Sequence, residues 1–505
     1  MKRLLIFLHR WLGVILCLLF LLWFPSGIGM MYWTFPGVTD ADRLERSPAL
    51  DAGQIRLSAA EAYATLNAGD SPSSVRLNTF NGRPVYRFAG GQIVYADTGE
   101  VQGEVSDLMV RRIASAWTGR PIGDARTDRV RAVDQWTVGD DIASLQPLWK
   151  FSWPNGDQVY VSQATGEVTQ YTTTASRVGA YLGPIPHWFY FTPLRKHGPE
   201  WSRVVIWSSG IGTFAAVLGV IVGAWMYSPS KRYRRDGAPS SIPYRGQKRW
   251  HMVLGLAFGI AAATWAFSGM LSMDPFPTGT GGPAPGPEGP RIEQALEGEM
   301  RFASFSSKDP REALAQLGGL PVKEIEFTTF AGEPIYLASL AGGDTRIVPM
   351  NGEPRTALDP RWIVDVVTAA AGTGKVETQV IDQYDRYYLD RNRRRPLPVV
   401  LAQLHDEVNT RFYIDPRTGR IVGRYSSRDW MTRWVYNGLH SLNFPWLYNY
   451  RPLWDIVVIT FMLGGTALCV TSLVLAWRVI GRKLRGLVPA SRRKAPLSDD
   501  LALAE

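Results

Sequence analysis

Four long uncharged stretches stand out from the pattern of apolar and polar positions along the chain. They cover residues 11–33, 204–227, 252–273 and 456–477, and each contains 22 to 24 residues. A helix needs about 20 mainly apolar residues to cross a bilayer. The pattern therefore predicts four transmembrane helices, which leave most of the 505 residues outside the hydrocarbon.

The two long segments between these stretches have the pattern of small α+β modules. Strand-like runs that alternate β-branched and aromatic residues lie next to turn sequences at 97–99, 165–166, 351–352 and 418–419. Such alternation, bounded by D-x-T-G or N-G, is typical of β-hairpins. Since helical stretches precede the strands, the sequence predicts four modules, two in each long segment.

The net charge of +10 is concentrated in the short segments at the ends and in the middle of the chain. Those segments contain 17 basic and four acidic residues, so the two long segments together carry a charge of −3. Basic residues mark the cytoplasmic side of membrane proteins. The distribution predicts that both termini and the middle loop are cytoplasmic and that the long segments lie across the membrane. It excludes a nucleic-acid-binding protein.

The first apolar stretch predicts a retained membrane anchor. It is long for a signal peptide, contains Trp11 and Trp23, and has no A-x-A cleavage site. The two cysteines, Cys17 and Cys469, both lie in predicted spans. We expect them to be small buried apolar residues without disulfide or C-x-x-C chemistry.

Comparison of the chain with itself indicates a duplication. Near the first and third spans, identical residues recur 242 positions apart; further on, the offset becomes 253. Each half would then contain a span, an external domain and a second span. Two halves with the same orientation are parallel repeats, related by an axis along the membrane normal. The matching pairs include His9/His251, Gly13/Gly255, Trp23/Trp265, Thr165/Thr418, His187/His440, Phe191/Phe444, Trp201/Trp454 and Gly212/Gly465.

With these features the chain resembles the PepSY-associated transmembrane proteins over nearly its whole length. The resemblance rests on H-R-W-L-G at 9–13, on the D-T-G-E-V hairpin at 97–101 and on the duplicated layout of spans and domains. It implies a protein of the bacterial inner membrane with a periplasmic α+β portion. Members of the family include siderophore reductases, which are similar in carrying b-type haem and reducing ferric siderophores.

The predicted fold is thus an α-helical membrane protein with four transmembrane helices in two parallel repeats, plus two periplasmic α+β, PepSY-like domains. A Pro- and Gly-rich stretch at 276–290 predicts a flexible connector. The segments are the cytoplasmic N-terminus with the first helix (1–33), periplasmic domain 1 (34–203), the second helix (204–227), a basic cytoplasmic loop (228–251), the third helix (252–273), periplasmic domain 2 (274–455), the fourth helix (456–477) and a basic cytoplasmic tail (478–505).

Four of the six histidines form two pairs related by the repeat, each at a predicted membrane boundary. His9 and His251 are predicted at the cytoplasmic boundary, and His187 and His440 at the periplasmic boundary. A pseudo-twofold axis would make the members of each pair face each other, which is what a six-coordinate haem iron requires. The four histidines are therefore candidate ligands of one or two haem b groups per chain.

Neighbouring residues support a haem site at the cytoplasmic pair. Gly13 and Gly255 lie one helical turn from the histidines and leave room for a porphyrin. Basic residues nearby are candidate partners of the haem propionates: Arg10, Lys248 and Arg249.

Other interpretations of the histidines stay open. Histidine at a membrane interface is often an amphipathic anchor, and glycine at a helix crossing is also ordinary packing. Each haem could also be bound within one half, or by one histidine and a different ligand. A span of 20-odd residues is about 30 Å long, so haems at the two boundaries could pass an electron across the bilayer.

The remaining candidates have weaker signals. His197 and His405 have no counterpart in the other half; His405, followed by two acids, is a candidate metal ligand or a solvated loop residue. The arginines at 391–395 could attract an anionic substrate or form a solvated face. The aromatic segments 187–191 and 444–448 fit an interfacial belt, and could also line a path for electrons.

The leading functional hypothesis is a haem-dependent reductase that passes electrons across the membrane to a periplasmic ferric siderophore or similar ferric chelate. The electron donor would be a quinol or a cytoplasmic reductase. Membrane lipid is a further expected partner, since it surrounds the four spans. The alternative is a non-redox PepSY module that binds or assembles with a protease, sensor or transporter. Siderophore permeation has less support, since no intramembrane charge marks a pathway. No G-x-S-x-G, Walker A or H-E-x-x-H motif occurs.

Overall fold

The computed structural model of the chain describes residues 1–68, 71–143, 145–235, 237–275, 289–372 and 375–487. Most of the connector predicted at 276–290 lies outside these residues, as does the end of the predicted tail from 488 onward. The described residues form two compact units. The first contains Met1–Tyr32, Ser202–Met273 and the residues from Pro452 onward, and the second contains Trp33–Trp201 and Asp274–Arg451.

Fifteen α-helices occur in the described part of the chain, and they vary from one turn to 37 residues. In chain order they are α1 (Lys2–Tyr32), α2 (Asp40–Arg46), α3 (Ala59–Ala64), α4 (Asp107–Thr118), α5 (Asp140–Ala143), α6 (Thr174–Leu182), α7 (Pro184–Trp188), α8 (Thr192–Arg195), α9 (Gly198–Met226), α10 (Gly246–Leu271), α11 (Gly289–Glu297), α12 (Pro310–Gln316), α13 (Pro360–Ala371), α14 (Pro445–Tyr448) and α15 (Arg451–Leu487).

The strands of the described residues form three larger sheets and one two-stranded ribbon. They are β1 (Val75–Phe80), β2 (Arg83–Phe88), β3 (Ile93–Tyr95), β4 (Arg126–Val130), β5 (Leu148–Ser152), β6 (Gln158–Ser162), β7 (Val168–Thr172), β8 (Tyr233–Arg235), β9 (Ala238–Ser240), β10 (Val322–Phe330), β11 (Glu333–Leu340), β12 (Thr345–Pro349), β13 (Val376–Ile381), β14 (Val399–Leu404), β15 (Arg411–Asp415) and β16 (Arg420–Tyr425).

The first unit is built from four helices that are long and apolar enough to cross a membrane, namely α1, α9, α10 and α15. Four helices with the length and composition of membrane spans are therefore present, as predicted. Each helix is longer than its uncharged stretch, because helical backbone continues into the polar residues at its ends. Aromatic rings pack where a glycine leaves space: a Cβ on Gly464 would lie 2.4 Å from the Phe258 ring, and one on Gly465 would lie 2.4 Å from the Phe24 ring.

The second unit has a central six-stranded antiparallel sheet in the order β12-β11-β10-β1-β2-β3. Strands β1–β3 come from the first long segment and β10–β12 from the second. The two groups meet where β1 pairs with β10, with Leu77 opposite Ile325. Side chains from both segments share the apolar core on this sheet, including Val75, Leu77, Ile325 and Phe327. The structure therefore joins the two long segments, which the sequence had suggested as separate domains.

Each long segment also has a four-stranded antiparallel sheet of its own, β4-β5-β6-β7 in the first and β13-β14-β15-β16 in the second. One amphipathic helix packs on each. Val110 and Ala114 of α4 are buried against the first sheet, and Ile363 and Val367 of α13 against the second. The predicted combination of membrane helices with α+β structure is present.

The predicted hairpins are found in two different forms. In the four-stranded sheets the turns at 165–166 and 418–419 connect paired strands, β6 with β7 and β15 with β16. In the central sheet the sequence at 97–99 follows the third strand, and the chain returns to the sheet only at the single bridge Val94–Val101. The predicted turn is present there, but the residues after it form only this one bridge and no further strand.

Candidate functional site

The structure brings His9 and His251 together in the first unit. His9 lies on α1 and His251 on α10, and their ring centroids are 6.1 Å apart at an interplanar angle of 36°. Both rings are half-buried. The repeat predicted that these two histidines face each other, and the geometry agrees.

The hydrogen bond of His9 determines which of its ring nitrogens carries the proton. Nδ1 lies 3.1 Å from the carbonyl oxygen of Ala215 on α9. A carbonyl can only accept a hydrogen bond, so Nδ1–H is the donor. In the neutral ring Nε2 therefore keeps its lone pair, which is the form that binds a metal ion.

The hydrogen bonds of His251 lead to the same tautomer by a different route. Its Nδ1 lies 3.2 Å from Thr471 Oγ1 and 3.3 Å from Ser472 Oγ. Both hydroxyls donate to the carbonyl oxygen of Leu468, at 2.7 and 2.9 Å. With their hydrogens on this carbonyl, both oxygens are able to accept from His251 Nδ1–H. The Leu468 carbonyl, which can only accept, is itself a hydrogen-bond partner of His251, so the imidazole is again the donor.

The two histidines line a cavity of about 840 Å³ that is surrounded by all four long helices. This volume lies in the range of about 300–1,000 Å³ found for cofactor and ligand sites. Gly13 and Gly255 also line it. A Cβ on Gly13 would meet nothing within 4 Å, and one on Gly255 would meet only Leu468 at 3.9 Å. The space that the sequence predicted beside these glycines is present.

Five basic residues of the described chain line this cavity. Of the three candidate propionate partners, Arg10 and Lys248 line it, whereas Arg249 does not. No aspartate or glutamate of the described residues lines it. The cavity is therefore suited to an anionic group on a mainly apolar molecule. Arginines that the sequence had not indicated also contribute to the lining: Arg245, Arg478 and Arg482.

Cys17 and Cys469 are two further residues of the cavity wall. Both are buried and neither forms a disulfide. They behave as small apolar side chains there.

The structure also brings His187 and His440 together, in the second unit. Their ring centroids are 6.0 Å apart at an interplanar angle of 59°. His187 lies near the end of α7, which begins with Pro184 at its first position. The ring of His440 stacks on Tyr436, with the centroids 5.6 Å apart. Burial raises the pKa of Tyr436 above its ordinary value.

His440 is the last residue of a π-helix, Met431–His440. Helices of this type are rare and are frequently found at functional sites. The segment is held by Arg433, whose side chain is 3% exposed. Arg433 donates Nε to the carbonyl of Arg386 and Nη2 to the carbonyl of Asn443, the latter at 3.1 Å. This buried arginine thus connects the first part of the π-helix with the loop at Arg386 and with Asn443, three residues after His440.

The basic run at 391–395 forms an ordered loop beside an aromatic cluster. The Asp390 carboxylate accepts backbone N–H groups of Asn392 at 3.0 Å and of Arg395 at 2.8 Å. The Arg395 side chain lies over Tyr388 and donates to Tyr425 Oη at 3.0 Å. In the described part of the chain no carboxylate forms an ion pair with the remaining arginines of the run, Arg391, Arg393 and Arg394.

His197 and His405 are both exposed. Within the described ranges no group of three or more His, Cys, Asp or Glu residues is arranged to hold a metal ion. Neither histidine belongs to such a group, and the solvated interpretation of His405 stays a prediction.

Both histidine pairs have a spacing that fits one metal ion between two imidazoles. An imidazole nitrogen lies about 2 Å from a bound metal ion, and the ring centroid about 1 Å further, so two opposed rings are about 6 Å apart. The observed values are 6.1 and 6.0 Å. Aromatic rings also pack at about 4.5–7 Å, so the spacing by itself does not identify a ligand pair. At the first pair the cavity, the hydrogen bonds of Nδ1 and the basic lining add to it.

These features define an integral membrane protein with a β-sheet-rich portion and two opposed histidine pairs. The chain belongs to the family described as PepSY-associated TM region. The model of that family matches the chain twice, over residues 6–317 and 248–498. A search of curated proteins found no match.

Several features of the first site are not indicated by the sequence motifs. They include the acceptors Thr471, Ser472 and the Ala215 carbonyl, and the close approach of Gly219 to His9. The 253-residue offset contained a signal for them, since it aligns Gly219 with Ser472 and Ala215 with Leu468. The π-helix gave no such signal, because its sequence is compatible with an ordinary amphipathic helix.

Proposed function

We propose that this protein is a haem-dependent reductase of the bacterial inner membrane, which passes electrons across the membrane to a periplasmic ferric siderophore or similar ferric chelate. Each histidine pair would bind one haem b. The haem, when bound, supplies a one-electron carrier, while the protein contributes ligand geometry, burial and a path between donor and acceptor.

The observation that carries this proposal is the opposition of two histidine pairs at the same spacing in two different units of the chain. One coincidental contact between two rings would need no explanation. Two contacts, each between residues related by the internal offset, support a shared role as ligand pairs. At the first pair both Nδ1–H groups are engaged, so both Nε2 lone pairs are available to a metal ion.

In the proposed topology the two halves are parallel repeats, with both termini and the 228–251 loop in the cytoplasm. The His9–His251 pair would then lie towards the cytoplasmic side, where a quinol or a cytoplasmic reductase can donate electrons. Arg10, Lys248 and the other basic residues of the cavity would hold the carboxylates of the porphyrin. The His187–His440 pair would serve the periplasmic side, and the arginine loop at 391–395 would attract an anionic ferric chelate.

The first test is a reduced-minus-oxidised absorption spectrum of the detergent-purified protein, with haem quantified per chain. We expect a b-type α-band and two haems per chain. His9→Ala or His251→Ala should remove one haem and leave the other, and His187→Ala or His440→Ala should have the complementary effect. The purified protein should also reduce a ferric chelate when a chemical reductant is supplied.

His197→Ala and His405→Ala are the matched controls, since both residues are exposed. These variants should retain the full haem content. A preparation that stays colourless after haem supplementation during expression would refute the proposal and favour a non-redox binding or assembly module. Unchanged haem content in both His187→Ala and His440→Ala would refute the second pair as ligands.

A further inference from the structure

We propose that Thr471 and Ser472 are positioning residues for His251, and that they give this ligand a hydrogen-bond environment different from that of His9. The inference rests on the proposed haem at the His9–His251 pair. According to this inference, two hydroxyl groups on α15 set the orientation of the His251 ring and how strongly its Nε2 donates electrons to a bound metal ion.

The hydrogen positions around His251 follow from counting donors and acceptors. Thr471 and Ser472 each direct their single hydroxyl hydrogen to the Leu468 carbonyl. Their oxygens then offer lone pairs to His251 Nδ1, which lies within 3.3 Å of both. Thr471 is buried, with 8% of its surface exposed, so its hydroxyl has little access to competing water. The His251 ring is held between α10 and α15 by this network.

The first half of the chain shows what the site is like without these hydroxyls. The positions 253 residues earlier are Leu218 and Gly219, and neither has a hydroxyl. His9 there donates directly to the Ala215 carbonyl at 3.1 Å. In the second half the corresponding carbonyl, that of Leu468, accepts from the two hydroxyls and is also a hydrogen-bond partner of His251. Both imidazoles therefore have a backbone carbonyl partner at equivalent positions, and only His251 has hydroxyl oxygens beside its Nδ1 as well.

This difference has a chemical consequence for a bound metal ion. A hydrogen bond from the distal N–H makes imidazole a better electron donor and fixes the ring plane. Removing such outer partners typically weakens metal affinity by about 10- to 100-fold. Loss of both hydroxyls should thus weaken the His251 bond more than loss of either one, since each single variant keeps one acceptor.

The experiment compares wild type with Thr471→Val, Ser472→Ala and the double variant, all as full-length protein in detergent. We expect haem transfer from the double variant to excess apomyoglobin to be about 10- to 100-fold faster for one of the two haems. The midpoint potential of that haem should shift to a higher value, because a poorer donor ligand stabilises the ferric state less. Thr471→Ser keeps a hydroxyl at this position, so it should have the haem transfer rate and the midpoint potential of wild type.

Thr466→Val is the matched control, because the Thr466 hydroxyl also donates to a carbonyl of its own helix, that of Met462 at 2.8 Å. A purely structural role of helix hydroxyls would give this control the same effect as the double variant. That result, or an unchanged potential and transfer rate in the double variant, would overturn the inference. A colourless wild type would instead refute the proposed function, so the two failures are distinguishable.

Discussion

Gly219 determines how closely α9 approaches the His9 ring. A Cβ at this position would lie 2.6 Å from Cε1 of His9, a distance that real Cβ contacts do not show. The same helix supplies the Ala215 carbonyl that accepts from Nδ1. A missing side chain and a backbone oxygen, one turn apart, thus place the ring and select its tautomer.

We predict that Gly219→Ala displaces His9 and lowers occupancy of the haem that this histidine would bind. Overpacking of a well-packed site typically costs about 1–3 kcal/mol. The measurement is haem content per chain, together with the apparent unfolding temperature. Gly210→Ala on the same helix is the control, because its Cβ would have an ordinary contact of 3.4 Å with Met270. Full haem retention in Gly219→Ala would show that the ring does not depend on this close approach.

Among the secondary-structure elements, the pairing of β1 with β10 has the largest consequence, since it joins strands about 250 positions apart. A polar contact also connects these two strands: Asn78 on β1 donates to the Glu324 carboxylate on β10 at 2.8 Å. Glu324 is 9% exposed, and the nearest Arg76 nitrogen is 3.9 Å away. Burial raises the pKa of Glu324 above its ordinary value of 4.5, although the bond from Asn78 opposes this shift.

A raised carboxyl pKa in the folded state means that the folded protein binds this proton more tightly than the unfolded chain does. The contribution of Glu324 to stability is therefore greatest at pH values below about 4.5, and it decreases as the pH rises through its folded pKa. We predict that Glu324→Gln, which keeps an acceptor for Asn78, removes this decrease. The variant should be as stable as wild type, or more stable, at pH 7.

The measurement is the apparent unfolding temperature of wild type and of Glu324→Gln between pH 4 and pH 8. The difference between the two proteins is plotted against pH, because the effects of all other carboxylates are the same in both. Glu326→Gln is the control, since Glu326 lies in the same strand and instead pairs with Arg420 at 2.6 Å. Its charge contributes to the raised pKa of Glu324 after burial, so this variant should reduce the pH dependence less than Glu324→Gln does. A difference between Glu324→Gln and wild type that does not change with pH would contradict the assignment.

For the whole molecule, the charge distribution predicts which segments lie on which side of the membrane. Basic residues concentrate at the N-terminus, in the 228–251 loop and in the tail, whereas the two long segments are weakly acidic together. Under the positive-inside rule all three basic segments share the cytoplasmic side. The family match covers both halves of the chain and is compatible with this arrangement.

We predict that a cysteine in the middle loop and one in the second long segment have opposite accessibility. Ser230→Cys and Ser306→Cys replace exposed residues, and the native Cys17 and Cys469 are buried. A membrane-impermeant maleimide should label Ser306→Cys in intact spheroplasts and label Ser230→Cys only after lysis. Equal labelling of both before lysis would refute the predicted topology.

Much of the first site could be predicted because its signals are local or repeat at a constant offset. His9, His251, Gly13 and Gly255 were all indicated by the 242-residue offset and by helical spacing. The acceptors of the two Nδ1–H groups could not be predicted in the same way, since they lie on helices more than 200 positions away along the chain. Hydropathy identifies a span but does not show which turn of it meets a given ring.

The sequence by itself determined the four membrane helices, the α+β character of the long segments, the family and the four histidines as candidate ligands. These properties depend on composition, on the periodicity of apolar residues and on the similarity between the two halves. All three can be read without knowledge of tertiary contacts. Only the tertiary structure decided that β1 pairs with β10, that 431–440 is a π-helix, and that His251 lies beside two hydroxyls while His9 donates to the Ala215 carbonyl. Each of these depends on the register of elements distant in the chain, which is set by packing rather than by local pattern.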